Sequence, residues 1–132
     1  EIKRYFGRLS WPMLDRIDMT IYMNRVEDLE FYTKGDHENI DSRALYENVE
    51  KARKFSDNLQ NSGVNSSELN ETVHTLIKRI HSKEKLSMQS YHKLINLSRT
   101  IANLNSSELI EREHVLEAMT YLTAIQVKRF FS

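Results

Sequence analysis

The stretch "LSMQSYHKLINLSRTIANL" (residues 86–104) decides the fold. Tyr91, Leu94, Ile95, Ser98, Ile101 and Ala102 recur at helical spacing, so one side of the segment is apolar or small. Ser87 stands where an N-cap belongs, its hydroxyl able to accept from a backbone N–H of the first turn. A helix with one apolar stripe must bury it, and the neighbouring segments carry matching stripes. Upstream, Asp41 or Ser42 caps a helix bearing Leu45, Val49, Ala52, Phe55 and Leu59, and Gly63 supplies its stop. Ser66 or Ser67 opens the next helix, with Leu69, Val73, Leu76, Ile77 and Ile80. Downstream, a fourth runs from Glu111 and carries Val115, Ala118, Met119, Leu122 and Ile125. The fold class that follows is mainly α, a bundle of about four helices packed stripe to stripe.

Composition agrees with that class. Three glycines and one proline in 132 residues leave few breaks. Lys plus Arg and Asp plus Glu number 19 each, so no basic excess marks a self-sufficient phosphate-binding domain. No cysteine is present, which excludes a disulfide framework, a thiolate metal site and a cysteine nucleophile, and fits a cytoplasmic location. No apolar run approaches the roughly 20 residues that cross a bilayer, so no membrane partner is expected. The N-terminus, Glu1-Ile2-Lys3-Arg4, has no initiator Met, and the expectation is a chain that starts inside a longer protein.

The first residues do not fit the bundle. Residues 4–16 read as a short helix interrupted at Trp11-Pro12, and Met19, Ile21 and Met23 then alternate with Thr20 and Tyr22 as in a half-buried strand. A lone strand cannot satisfy its own backbone groups, so its partners are expected outside this sequence. Residues 24–41 are polar, with a turn at Gly35-Asp36. At the root of the strand lies Asp15-Arg16-Ile17-Asp18. An arginine at such a corner can present a fixed fork of donors to a phosphate. From the residues alone, pairing of Arg16 with Asp15 or Asp18 on the surface is the favoured reading.

Other chemistries find no pattern. Among the five histidines, His37 sits in the polar turn, and His74 and His81 are seven apart on one helix; no ligand set converges, and no metal site is expected. Gly-x-Ser-x-Gly is absent, as is a phosphate-binding Gly-x-x-x-x-Gly-Lys-Ser/Thr run, so the chain alone should neither hydrolyse esters nor bind and cleave a nucleoside triphosphate.

Three stretches carry a resemblance. "GRLSWPMLDRIDMTIYM" (7–23) resembles the segment entering the last core strand of Mg-chelatase-like AAA+ ATPases of the YifB/ComM family. Residues 86–104 resemble that family's Leu-Ser-x-Arg-x-Tyr and Arg-Thr-Ile-Ala-Asp-Leu helix, and "IEREHVLEAMTY" (110–121) resembles its closing helix. The resemblance implies a helical lid preceded by a remnant of an α/β ATPase core, with residues 1–24 as the remnant and 25–132 as the lid. It implies that Arg16 is an arginine finger acting in trans on ATP held by the adjacent subunit of a homo-oligomeric ring. Arg8, in the same block, is a second phosphate-facing candidate. Gln89 falls where the family has its sensor-2 arginine, and Trp11 where it has Gly; Gln can hydrogen-bond a phosphate but supplies no charge. Lys93 and Arg99 match further basic positions. ATP and Mg would belong to the intact parent, with none bound to this piece. Work on DNA, as in competence, is among the processes such a parent could drive. Two other classes remain open. One is a helical protein-interaction module. The other is a DNA-binding domain using Lys51, Arg53 and Lys54, or Lys78, Arg79, Lys83 and Lys85.

Overall fold

The computed structural model describes residues 2–23, 41–65 and 68–131. Among these the chain forms seven helices: α1 (Ile2–Phe6), α2 (Trp11–Leu14), α3 (Ser42–Asn61), α4 (Glu71–Glu84), α5 (Met88–Leu104), α6 (Arg112–Tyr121) and α7 (Thr123–Phe131). The mainly helical class read from the sequence is the one observed. The Gly35-Asp36 turn, His37, Ser66 and Ser67 lie outside the described residues.

The helix boundaries follow local chemistry. Asp41 caps α3, its carboxylate accepting from the Arg43 N–H at 3.3 Å, and Gly63 follows the helix at φ +75, a conformation that L side chains rarely adopt. Asn70, not Ser66 or Ser67, caps α4: its side-chain oxygen accepts from the Val73 N–H at 2.8 Å. Ser87 caps α5 as the sequence predicts, accepting from the Ser90 N–H at 3.0 Å. Pro12 lies in the first turn of α2 rather than interrupting a longer helix. Its missing N–H has no intrahelical partner to lose there.

One core joins α4 to α7. Val73, Ile77 and Ile80 of α4, Leu94, Ile101 and Ala102 of α5, and Val115 and Ala118 of α6 pack with Ile125 of α7; Leu86, Ile110 and Leu122 fill the joints. The stripe expected on α3 behaves differently. Only Leu59 of its apolar residues is buried, while Leu45 and Val49 are 51% and 42% exposed, and the helix lies against α5 outside this core.

The expected fourth helix is two. At Leu122 the backbone turns extended (φ −62, ψ 118), ending α6, and α7 restarts with the N–H groups of Ile125 and Gln126 donating to the Leu122 carbonyl. The Tyr121 carbonyl, released from intrahelical pairing, accepts the Thr20 N–H at 2.8 Å, and the hydroxyls of Thr20 and Thr123 meet at 2.9 Å. Among the described residues there is no strand, only one antiparallel bridge between Met19 and Leu122. Extended backbone alternates side chains whether or not a sheet forms, and residues 21–23 have no ladder partner among the described residues and stand exposed. An aromatic cluster holds the N-terminal segment to α7. Phe6 lies 6.3 Å from Phe130 and 6.0 Å from Phe131, and Tyr22 lies 5.7 Å from Phe130.

Candidate functional site: the Asp15–Asp18 corner and the start of α5

The corner after α2 is fastened to α5 by its acids. Ser87 Oγ donates to Asp15 Oδ2 at 3.0 Å, and the buried Ser90 hydroxyl donates to Asp15 Oδ1 at 2.6 Å. Lys93, whose side chain is only 14% exposed, donates to the Asp15 carbonyl and pairs with Asp18 Oδ1 at 3.0 Å. The Asp15 carboxylate therefore occupies the place where the α5 dipole favours an anion. Ser87, Ser90 and Lys93 recur three residues apart, which puts them on one side of the helix.

Arg16 is left over. Pairing with Asp15 or Asp18, the reading favoured from residues alone, does not occur, because both acids face α5 partners. The Arg16 guanidinium makes no hydrogen bond or ion pair among the described residues and is exposed. It lines an open cleft of about 510 Å³ together with Trp11, Lys85, Gln89 and Lys128. Lys85 ends α4 in the left-handed conformation (φ 50), and Lys128 donates to the Glu84 carbonyl. The structure thus brings Arg16 and Gln89 together, 73 residues apart in sequence, beside two lysines. The cleft carries a positive excess and could receive an anion such as a phosphate. Arg8 does not line it; that residue is exposed in the turn after α1.

The other basic position within α5 is structural. Arg99 Nε donates to Asn103 Oδ1 at 3.0 Å, one terminal nitrogen to the Glu108 carbonyl at 2.7 Å, and the other to the Ser107 carbonyl. Burial pushes its pKa below the ordinary guanidinium value. His114 is likewise internal: the Glu111 N–H donates to its Nδ1 at 2.9 Å, which leaves the ring proton on Nε2. Among the described residues no group of three His, Asp or Glu side chains is arranged to hold a metal ion. No helix of the described residues is long and apolar enough to cross a membrane.

The α4–α7 core, the α5 cap and the Arg99 and His114 contacts make up a helical domain. Residues 39–122 match the family described as "Magnesium chelatase, subunit ChlI C-terminal", and the chain belongs to that family. The match covers α3 to α6 and so includes Gln89, Lys93, Arg99 and His114, while Arg16 precedes it. The chain is 30% identical over 138 residues to the competence protein ComM of Haemophilus influenzae, covering 96% of this chain and 26% of that protein. It is 26% identical over 132 residues to the uncharacterized protein YifB of Escherichia coli K12, covering 89% and 25%. The chain thus spans about a quarter of the length of these curated relatives.

Proposed function

We propose that the chain is the helical lid, together with the adjoining corner of the core, of a Mg-chelatase-related AAA+ ATPase. In this reading residues 1–24 belong with the core and 25–132 form the lid. Arg16 reaches ATP held by the neighbouring subunit of a cytoplasmic homo-oligomeric ring. The single observation behind it is that Arg16, alone among the charges of its corner, has no hydrogen-bond or ion-pair partner among the described residues and faces a cleft. A buried or paired arginine would have to break contacts before touching a phosphate; this one would not. Gln89 lines the same cleft, so both residues would address the same phosphate, Gln89 as a neutral donor. ATP and Mg would be held by groups upstream of this chain, and the lid would couple the nucleotide cycle to work, DNA processing among the candidates. In the parent protein, Arg16→Ala should lower turnover by about 10³-fold or more while leaving ATP binding intact. Normal turnover would refute the assignment. The 132-residue chain alone should show no Mg-dependent ATPase activity.

A second reading, a surface that grips nucleic-acid phosphates, has one observation in its favour. Arg79 of α4 and Arg112 of α6 make no hydrogen bond or ion pair among the described residues and line one cleft of about 430 Å³ with Glu71, Thr72 and Thr75, which leaves it one positive charge in excess. That reading requires binding of the isolated chain to DNA that weakens steeply with salt and is lost in Arg79→Ala/Arg112→Ala. Salt-insensitive or absent binding removes it.

A further inference from the structure

The geometry points to a mechanical role for the acids beside Arg16: Asp15 and Asp18, gripped by α5, are positioning residues that make Arg16 and Gln89 move as one unit. The consequence for phosphate chemistry rests on the finger reading above, but the tether does not. Three features carry the inference. First, the anchors bracket Arg16 in sequence, and both lead to α5. Second, Ser90 is 2% exposed, so without Asp15 its hydroxyl would be left buried with its best acceptor gone. The attachment is therefore part of the packing of α5 rather than a loose surface pair. Third, Gln89 lies between Ser87 and Ser90 in the first turn of the same helix and lines the cleft with Arg16. Bonds to an ionised carboxylate and a well-covered lysine are short, directional and stronger than neutral ones. A shift of α5 should therefore carry Arg16 with it instead of leaving it behind on the preceding segment. In a ring, movement of this helical bundle would be delivered directly to the phosphate that Arg16 faces.

The chain contains no cysteine, so Arg16→Cys and Asn105→Cys introduce the only two thiols for spin labels. Arg16 has no partner among the described residues to lose on labelling, and Asn105 follows the far end of α5, roughly 25 Å along the helix by its rise per residue. Pulsed electron paramagnetic resonance of the doubly labelled chain should give one narrow distance distribution. Asp15→Ala/Asp18→Ala, and separately Lys93→Met, should broaden it at least about twofold, whereas Lys93→Arg should restore the narrow form. Circular dichroism melts identify any variant that has unfolded; Lys93→Met leaves the buried Ser90–Asp15 bond in place and serves if the double variant does not fold. A distribution of unchanged width in the folded variants overturns the tether. In the parent ATPase, Asp15→Ala/Asp18→Ala should lower kcat about tenfold or more with KM for ATP unchanged. Broadened distances with normal turnover in both this variant and Arg16→Ala would leave the tether standing and remove the finger.

Discussion

The Arg99 guanidinium shows how a basic residue in a functional-looking position can be spent on architecture. Its planar fork meets the Asn103 amide oxygen and the carbonyls of Glu108 and Ser107, closing the loop between α5 and α6 around one cation. Lysine is a single point of charge and cannot reproduce that fork. Arg99→Met should cost about 2–3 kcal/mol in urea denaturation, with Arg99→Lys recovering only part of it. Family resemblance marks Arg99 as a basic position, but its role was not legible, because the Glu108 and Ser107 acceptors are backbone carbonyls, which every residue carries. Arg16 presents the opposite case. Its neighbours Asp15 and Asp18 suggest local pairing by proximity in sequence, yet both acids find partners 72 to 78 residues away on α5. Local charge order does not say which pairs form once a helix end and a buried hydroxyl compete for the same carboxylates.

At the level of helices and joints, the break between α6 and α7 is the feature that sequence periodicity conceals. Val115, Ala118, Met119, Leu122 and Ile125 keep a helical spacing straight across Leu122, and no glycine or proline marks the interruption. What coincides with the break is an approaching segment: Thr20 donates its N–H to Tyr121 and shares a hydroxyl contact with the buried Thr123. A contact between residues 103 positions apart is invisible to any local pattern. Thr20→Val and Thr123→Val should each destabilise the chain, but together by less than the sum of the two, with a coupling energy of about 1 kcal/mol from denaturant titrations. Strict additivity would show that the hydroxyls do not interact. The same joint accounts for the extended backbone at Met19 and Thr20, which dock there.

Across the whole molecule, burial sorts helices that look alike in sequence. α3 and α4 both show an apolar stripe, yet Ile77 of α4 is fully buried while Leu45 and Val49 of α3 are only about half covered. Ile77→Ala should cost about 2–5 kcal/mol and Leu45→Ala about 0.5 kcal/mol or less, measured by urea midpoints. Equal losses would mean that α3 is covered in the same way as α4. The helical class, the caps at Asp41 and Ser87, the apolar faces of α4 and α5, and the family were readable from the residues. The class, caps and faces depend on interactions within a turn or two, or on a period repeated along one helix, whereas the family rests on the resemblance of three stretches. Which stripe is covered, where the last helix breaks, which acids hold the corner and hence that Arg16 is left without a partner among the described residues were decided only by the tertiary structure. Each of those outcomes is a competition between partners distant in the chain, and only the folded packing determines which partner is within reach.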